Sequence, residues 1–371
     1  MMIVYYFFIC FLIILTSYFL ILFFYLHFSD KKDFINNFLG FGALFFVFIH
    51  VPMFLLLMFQ DDDLHAESLP LFTLSVLLPL VIIGIIILLS TGFLHLYKIL
   101  FKPTRKPHLD KTSNNRPSKM SKARKDSFRK INHVLIFFGL FAVWISSYWI
   151  VRRFTNEEVK IEPQTSNMLY LYLRLFTKPR SIEEVLFSLG WFYYALFFFF
   201  YIFCLITIVN EFTRKSKYMS FPLNFISNLL LTDEEKKSYG TYLYFAIGQM
   251  FAAFICPPMV YFSILAMSSI GDLMSSQIGI RYGKTPITWN KKKTWEGTIA
   301  GTVTSFMICL IFVGFIYALI FAIVFMSFDL FTRKPLNLSD NLLIPIGIAL
   351  IYIFIRYGFD LSYNSIILLF F

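Results

Sequence analysis

Apolar runs of about 20 residues follow one another along almost the whole of this 371-residue chain, and each is long enough to cross the hydrocarbon core of a bilayer as a helix. In hydrocarbon every backbone N–H and C=O must be satisfied within the protein, so spanning structures are helices or closed barrels. Barrel strands alternate apolar and polar residues. The run LLPLVIIGIIILLS (77–90) does not alternate, so the chain reads as an all-α polytopic integral membrane protein. Composition agrees. The residues are 58% hydrophobic and only 15% charged, where a soluble domain is about a quarter charged.

The runs predict about ten transmembrane helices, including two short helical hairpins. Single spans are expected near 2–28, 35–59, 71–97, 131–151, 184–209 and 341–357, with hairpins over 241–270 and 299–331. Pro257 and Pro258 fall near the middle of the first hairpin. They remove two backbone donors and break an interior helix. Gly314 lies at the corresponding place in the second hairpin. The first run has neither a basic start nor a small-residue cleavage site, so it reads as a retained helix rather than a removed signal. The tail LSYNSIILLFF is too short to cross.

The net charge of +11 is concentrated in residues 98–130. A basic loop between spans marks the cytoplasmic side and tolerates anionic headgroups, so the charge implies no nucleic-acid partner. Its Pro, Ser and Asn content is that of a linker. The acidic QDDDLHAES (60–68) fits the outer face. The chain therefore divides into an accessory three-helix bundle (1–97), a basic cytoplasmic linker (98–130) and a functional membrane module (131–371). Cys10, Cys204, Cys256 and Cys309 all lie in apolar segments and are expected to pack rather than pair.

Candidate chemistry is concentrated in GDLMSSQIGIRYGKTPITWNKKKTWEGTIAG (271–301), read as a loop between spans. It is not a P-loop, which needs four residues between the glycines and a preceding strand; GIRYGKT has three and follows an apolar helix. Even so, the residues suit a nucleotide. Asp272 ends an apolar run, where an unpaired carboxylate is costly; Mg²⁺ on a triphosphate would give it a task. Lys284, Lys291, Lys292 and Lys293 supply positive charge for phosphates. Gly271, Gly279 and Gly283 let backbone approach a ligand. Ser275 and Ser276 offer hydroxyls to a ribose or phosphate. Glu296 precedes Gly297 and Thr298, where the next helix begins and its N-terminus forms an anion site. A purely topogenic loop would need positive charge, but not an Asp at one end and a Glu at the other.

The pattern Gly271-Asp272, Ser276, Gly279, Gly283, Lys292-Lys293-Thr294 and Glu296-Gly297-Thr298 resembles the signature of the CTP-dependent lipid kinases, which act on dolichol or polyprenol, phytol, or diacylglycerol. Dolichol kinases resemble it most closely. Three further stretches agree. FRKINHVLIFFGL (128–140) resembles the family's Arg-Lys-x-x-His element at Arg129, Lys130 and His133. YGTYLYFAIG (239–248) resembles its Gly-Thr helix, and SDNLLIP (339–345) its Asp-Asn-Leu-x-x-Pro element at Asp340, Asn341 and Pro345. The resemblance covers roughly 121–357 in order. It departs at two points. Where the family often has a Glu ahead of the Asp-Asn element, this chain offers Asp329. The family's Trp-x-Gly-Thr also lacks its glycine at Trp289-Asn290-Lys291.

The resemblance implies transfer of the CTP γ-phosphate to the hydroxyl of a membrane polyprenol or dolichol, giving a polyprenyl phosphate and CDP. Asp272 and Asp340 would hold Mg²⁺. Lys284, Lys292, Lys293, Arg129 and Lys130 would face the triphosphate, with Thr294 and Asn341 in the nucleotide site. Glu296 would be a metal ligand or orienting group, and His133, whose pKa range suits proton transfer, a base. The active site is expected on the cytoplasmic face, of the endoplasmic reticulum in a eukaryote or the plasma membrane in a prokaryote. Phytol, geranylgeraniol and diacylglycerol are alternative substrates. A phosphatidate cytidylyltransferase is a rival, but its Lys-Asp and His-Gly-Gly signature is absent. A transporter or scaffold is a second rival; it would gather polar residues at the midplane rather than at one face.

Overall fold

The computed structural model describes residues 34–60, 122–155, 189–215, 221–225, 239–332 and 338–370, with isolated positions elsewhere. The expected spans 2–28 and 71–97, most of the basic linker and the segment 156–188 lie outside these residues. The described elements are helical: α1 (Phe34–Gln60), α2 (Lys122–Thr155), α3 (Leu189–Lys215), α4 (Thr241–Ile255) and α5 (Pro258–Ala266). A π-turn (Met267–Gly271) follows, then α6 (Asp272–Tyr282), α7 (Trp295–Phe331), α8 (Asp340–Gly358) and a last 3₁₀ turn at Ile367–Phe370. No strand occurs among the described residues. Among the described residues, four stretches are long and apolar enough to cross a bilayer: Lys130–Ile150, Pro258–Tyr282, Trp295–Phe331 and Asp340–Gly358.

Both expected hairpins are present. α4 ends at Cys256, and Pro257 is extended before Pro258 opens α5; a proline there gives up only an N–H that a helix start leaves unbonded anyway. On α2, Lys130 reaches Asp272 while His133, one turn on, stacks on Phe245. The beginning of α4 and the beginning of α6 therefore lie at the same end of the bundle, with the prolines at the other. In α7, Thr298 hydrogen-bonds Asp329 across a sequence separation of 31 residues, which a straight helix would hold about 46 Å apart. The reversal is at Gly314, with φ 77° and ψ 177°, a conformation essentially confined to glycine. The C-terminal tail docks over this turn. Ile366 N–H donates to Ile311 O at 3.1 Å, and Tyr317 Oη donates to Leu361 O at 2.7 Å.

The second limb of the proline hairpin is longer than expected, which corrects the reading of 271–301 as a loop. The helix continues through the π-turn to Tyr282, leaving a loop of 283–294 closed by the Pro286–Thr294 bridge. Gly271 and Gly279 are thus helical. Both lie against α7 or its cap, where an added Cβ would meet Ser305 and Thr294 respectively. A Cβ on Gly297 would lie 2.6 Å from Ser275 O and 2.9 Å from Gly279 Cα, and one on Gly301 would lie 2.7 Å from Ser275 Cβ. Small residues at such a seam let two membrane helices approach backbone to backbone.

α4 and α5 form the centre and are buried along nearly their whole length. Phe200 of α3 touches both Phe245 and Tyr261, and Phe46 of α1 touches Phe251 and Phe254. Phe137, Phe141 and Trp144 of α2 pack on Phe262. The outer faces of α2 and α7 expose Leu135, Phe138, Val143, Val303, Met307 and Phe315, as lipid-facing helices do. At the far end of α3 a fully buried Glu211 accepts from Arg214 and Tyr242, and Asn210 donates to Tyr242 and Ser227. That cluster fastens the end of α3 to the first turn of α4.

Two outcomes are expected. Gly314→Ala should lose about 1–3 kcal/mol of stability from backbone strain alone, since its Cβ would also meet Asn364 O at 2.5 Å; thermal unfolding in detergent measures this. Single cysteines replacing the exposed Lys291 and Asp360 should label from opposite sides of sealed vesicles, because α8 carries the chain from one end of the bundle to the other.

Candidate active site

Five charged side chains meet where α2 enters the bundle, α6 starts, both limbs of α7 end and α8 begins. Lys130 Nζ lies 2.8 Å from Asp272 Oδ2 and donates to the Asp272 backbone carbonyl at 2.9 Å. Lys293, in the loop after α6, pairs with Asp329 and stands 3.7 Å from Asp340 Oδ2. Asp329 Oδ2 accepts from Thr298 Oγ1 at 2.6 Å and from Ser275 Oγ at 3.3 Å. Burial alone would lower the Lys293 pKa. The carboxylates of Asp329, Asp340 and Asp272 outweigh it and hold the ammonium above its usual range, so the lysine stays charged through neutral pH.

The three carboxylates differ in access. Asp329 is 1% exposed, while the side chains of Asp272 and Asp340 are 10% and 26% exposed. Asp329 holds a lysine and two hydroxyls. It reads as the fixed anchor of Lys293, with Asp272 and Asp340 facing the open side.

Local structure explains how these groups are delivered. Thr294 caps α7 by accepting Gly297 N–H at 3.3 Å. Ile287 N–H to Lys293 O at 3.0 Å and Lys293 N–H to Asn290 O at 2.9 Å fold the loop so that Lys293 points inward. Asn290 and Trp289 donate to Leu330 O, which pins the loop to the second limb of α7 beside Asp329. Glu296 accepts from Thr285 N at 3.1 Å and Thr285 Oγ1 at 2.7 Å; in this structure it clasps the loop rather than joining the charged cluster.

The other candidates fall around this core. Thr298 and Asn341 are buried beside it, and Gly271, Gly279, Gly283 and Gly297 form the α6–α7 contact. Ser276 is half-buried on α6, while Lys284, Lys291 and Lys292 are exposed on the loop. His133 is buried and stacked on Phe245, with ring centroids 3.9 Å apart and planes at 8°. Arg129 precedes Lys130 in α2. The residue that sequence reasoning left out of the site is Asp329. Its signal was present: a carboxylate ending the apolar run FAIVFMSFDLF (321–331), the same costly placement that singled out Asp272.

Comparison with known proteins reaches part of the chain. It is 42% identical to the dolichol kinase of Saccharomyces cerevisiae over 85 residues, which is 20% of this chain and 16% of that enzyme. It is 33% identical to an uncharacterized protein of Methanocaldococcus jannaschii over 129 residues, 34% of this chain and 65% of that protein. The chain therefore spans less than two-thirds of the length of either relative. No family model and no solved structure matches it.

Asp329→Ala would leave Lys293 without its anchor in a low-dielectric site. The expected cost is about 3–5 kcal/mol, read from thermal unfolding in detergent. Asp329→Asn, which can still accept from Thr298 and Ser275, should cost less.

Proposed function

We propose that the chain is a CTP-dependent kinase that moves the γ-phosphate of CTP to the hydroxyl of a polyprenol- or dolichol-type membrane alcohol. The observation that carries this reading is the convergence of Lys130, Asp272, Lys293, Asp329 and Asp340 at one end of a helical membrane bundle. Four of these five lie in the stretches that resemble the CTP-dependent lipid kinases. Partial identity to a dolichol kinase supports the same class.

Phosphoryl transfer asks a protein mainly for positioning and charge neutralisation. The donor set fits Mg²⁺, which takes one or two carboxylates and completes its shell with phosphate oxygens and water. Asp272 and Asp340 would hold it, and the bound ion would neutralise charge on the triphosphate. Lys293, fixed by Asp329, would stabilise the transferring phosphoryl group, and Lys130 the neighbouring phosphates. Lys284, Lys292 and Arg129 would draw the nucleotide in. The alcohol oxygen bonds to the γ-phosphorus as the β–γ bridge breaks, CDP leaves, and the hydroxyl proton passes to His133. His133 sits one turn deeper than Lys130, on the side from which a lipid alcohol would come. We place this end of the bundle at the cytoplasmic face.

The test uses purified protein in lipid with CTP labelled separately in the base and the γ-phosphate, and a panel of dolichol, phytol, geranylgeraniol and diacylglycerol. The expected result is γ-label in a polyprenyl monophosphate and CDP in solution. Base label in the lipid would make it a cytidylyltransferase, and no turnover would favour a transporter or scaffold. Asp272→Asn, checked for folding by size-exclusion, should lower transfer by about 100-fold or more, as expected for loss of a metal-holding charge. Near-full activity would remove Asp272 from the mechanism.

A further inference from the structure

The segments that resemble the kinases begin near residue 121, so α1 stands outside them. Two adjacent asparagines at its first turn nevertheless reach the candidate site. Asn36 Oδ1 accepts the Ser339 backbone N–H at 2.7 Å. Ser339 is the N-cap of α8, and Asp340 is the first residue of that helix. The Ser339 hydroxyl makes no capping bond. Its carbonyl is committed to α8, accepting Leu342 N–H at 3.1 Å and Leu343 N–H at 2.9 Å. The cap residue is therefore held on one side by its own helix and on the other by α1.

The neighbouring amide completes the attachment. Asn37 Oδ1 accepts Tyr244 Oη at 3.0 Å on α4. Further along α4, Gly248 packs so closely on α8 that a Cβ there would lie 2.7 Å from Asn341 O. Asn36 and Asn37 are 6% and 0% exposed. Amides are expensive to bury and a hydrogen bond offsets the cost; Asn36 and Asn37 each meet it through the oxygen, while Asn37 Nδ2 has no partner among the described residues. A helix serving as a mere neighbour needs only the apolar contacts α1 already makes through Phe46 with Phe251 and Phe254. The polar pair lies at the site end of the helix, and Asn36 bonds the residue immediately before Asp340.

We propose that α1 is a working part of the active site: through Asn36 it holds the turn that presents Asp340, so Asn36 is a positioning residue for the metal–nucleotide. The inference rests on the kinase reading above. It also gives the N-terminal region a task in catalysis that membrane anchoring would not require.

The test uses the full chain with Asn36→Ala, Ser339→Pro, their combination, and Phe46→Ala. Two readouts are taken: the Mg²⁺ concentration for half-maximal γ-phosphate transfer, and the rise in Tm that Mg²⁺–CTP gives the protein. Asn36→Ala should raise the Mg²⁺ requirement about three- to tenfold, as loss of one hydrogen bond would, and reduce the nucleotide-dependent rise in Tm. Ser339→Pro deletes the donor of the same bond at φ −78°, which proline accepts. Added to Asn36→Ala it should change neither readout further, because the bond is already gone. Phe46→Ala should lower the Tm of the unliganded protein and leave the Mg²⁺ requirement unchanged. Transfer by the wild type with an unaltered Mg²⁺ requirement in Asn36→Ala, or additive losses in the double variant, would overturn the inference alone. A wild type that binds Mg²⁺–CTP without moving its γ-phosphate would overturn the kinase reading, and the Tm series would still decide the role of Asn36. A wild type that does neither would overturn both.

Discussion

The ion pair between Lys293 and Asp329 is the contact on which the rest of the site depends. Each charge is expensive where it sits: without Lys293, Asp329 would keep only hydroxyl donors, and without Asp329, Lys293 would keep the more distant Asp340 at 3.7 Å. Their meeting requires three separate pieces of chain to arrive together. The loop after α6 must turn Lys293 inward. The second limb of α7 must return to the level of its start, so that Asp329 faces Thr298. α8 must begin alongside, bringing Asp340 within 3.7 Å of the same ammonium. The pair therefore acts as a condition on the fold as well as a component of the site.

The two hairpins meet that condition by opposite means. In the first, prolines interrupt the backbone hydrogen bonding and the chain turns where donors are missing. In the second, Gly314 adopts a conformation closed to other residues, and the C-terminal tail covers the exposed turn. Both reversals lie at the far end, and both deliver polar residues to the near end. Chemistry is thereby gathered at one face while the interior is mostly apolar and aromatic. The seam of Gly271, Gly279, Gly297 and Gly301 lets α6 and α7 approach closely enough for Ser275 and Thr298 to share one carboxylate.

Much of this was readable from the residues alone, for physical reasons. Helix-breaking by Pro257, Pro258 and Gly314 is local backbone chemistry, so the hairpins could be anticipated. A carboxylate at the end of an apolar run is conspicuous because it is costly, which is how Asp272 stood out. The helical state of 272–282 was not readable in the same way. A missing Cβ serves equally for approach to a ligand or to another helix, and the deciding partner, Gly297, lies beyond the loop. Asp329 carried the same signal as Asp272, but its significance rests on Lys293 and Thr298, which meet it only after α7 folds back. The bond from Asn36 to Ser339 spans 303 residues, and nothing in either local sequence announces it.

The π-turn at Met267–Gly271 bears on all of this through rotation. An α-helix turns about 100° per residue, and a π-turn inserts one residue without lengthening the helix by a full step. Everything after it is rephased relative to α5. The face that α5 turns to the aromatic core and the face on which α6 carries Asp272 and Ser275 are set independently, with the π-turn as the phase adjustment between them. If the same residues ran on as plain α-helix, Asp272 and Ser275 would swing by about a quarter-turn away from Lys130 and Asp329. The composition and charge of the site would be unchanged, and its parts would no longer face one another.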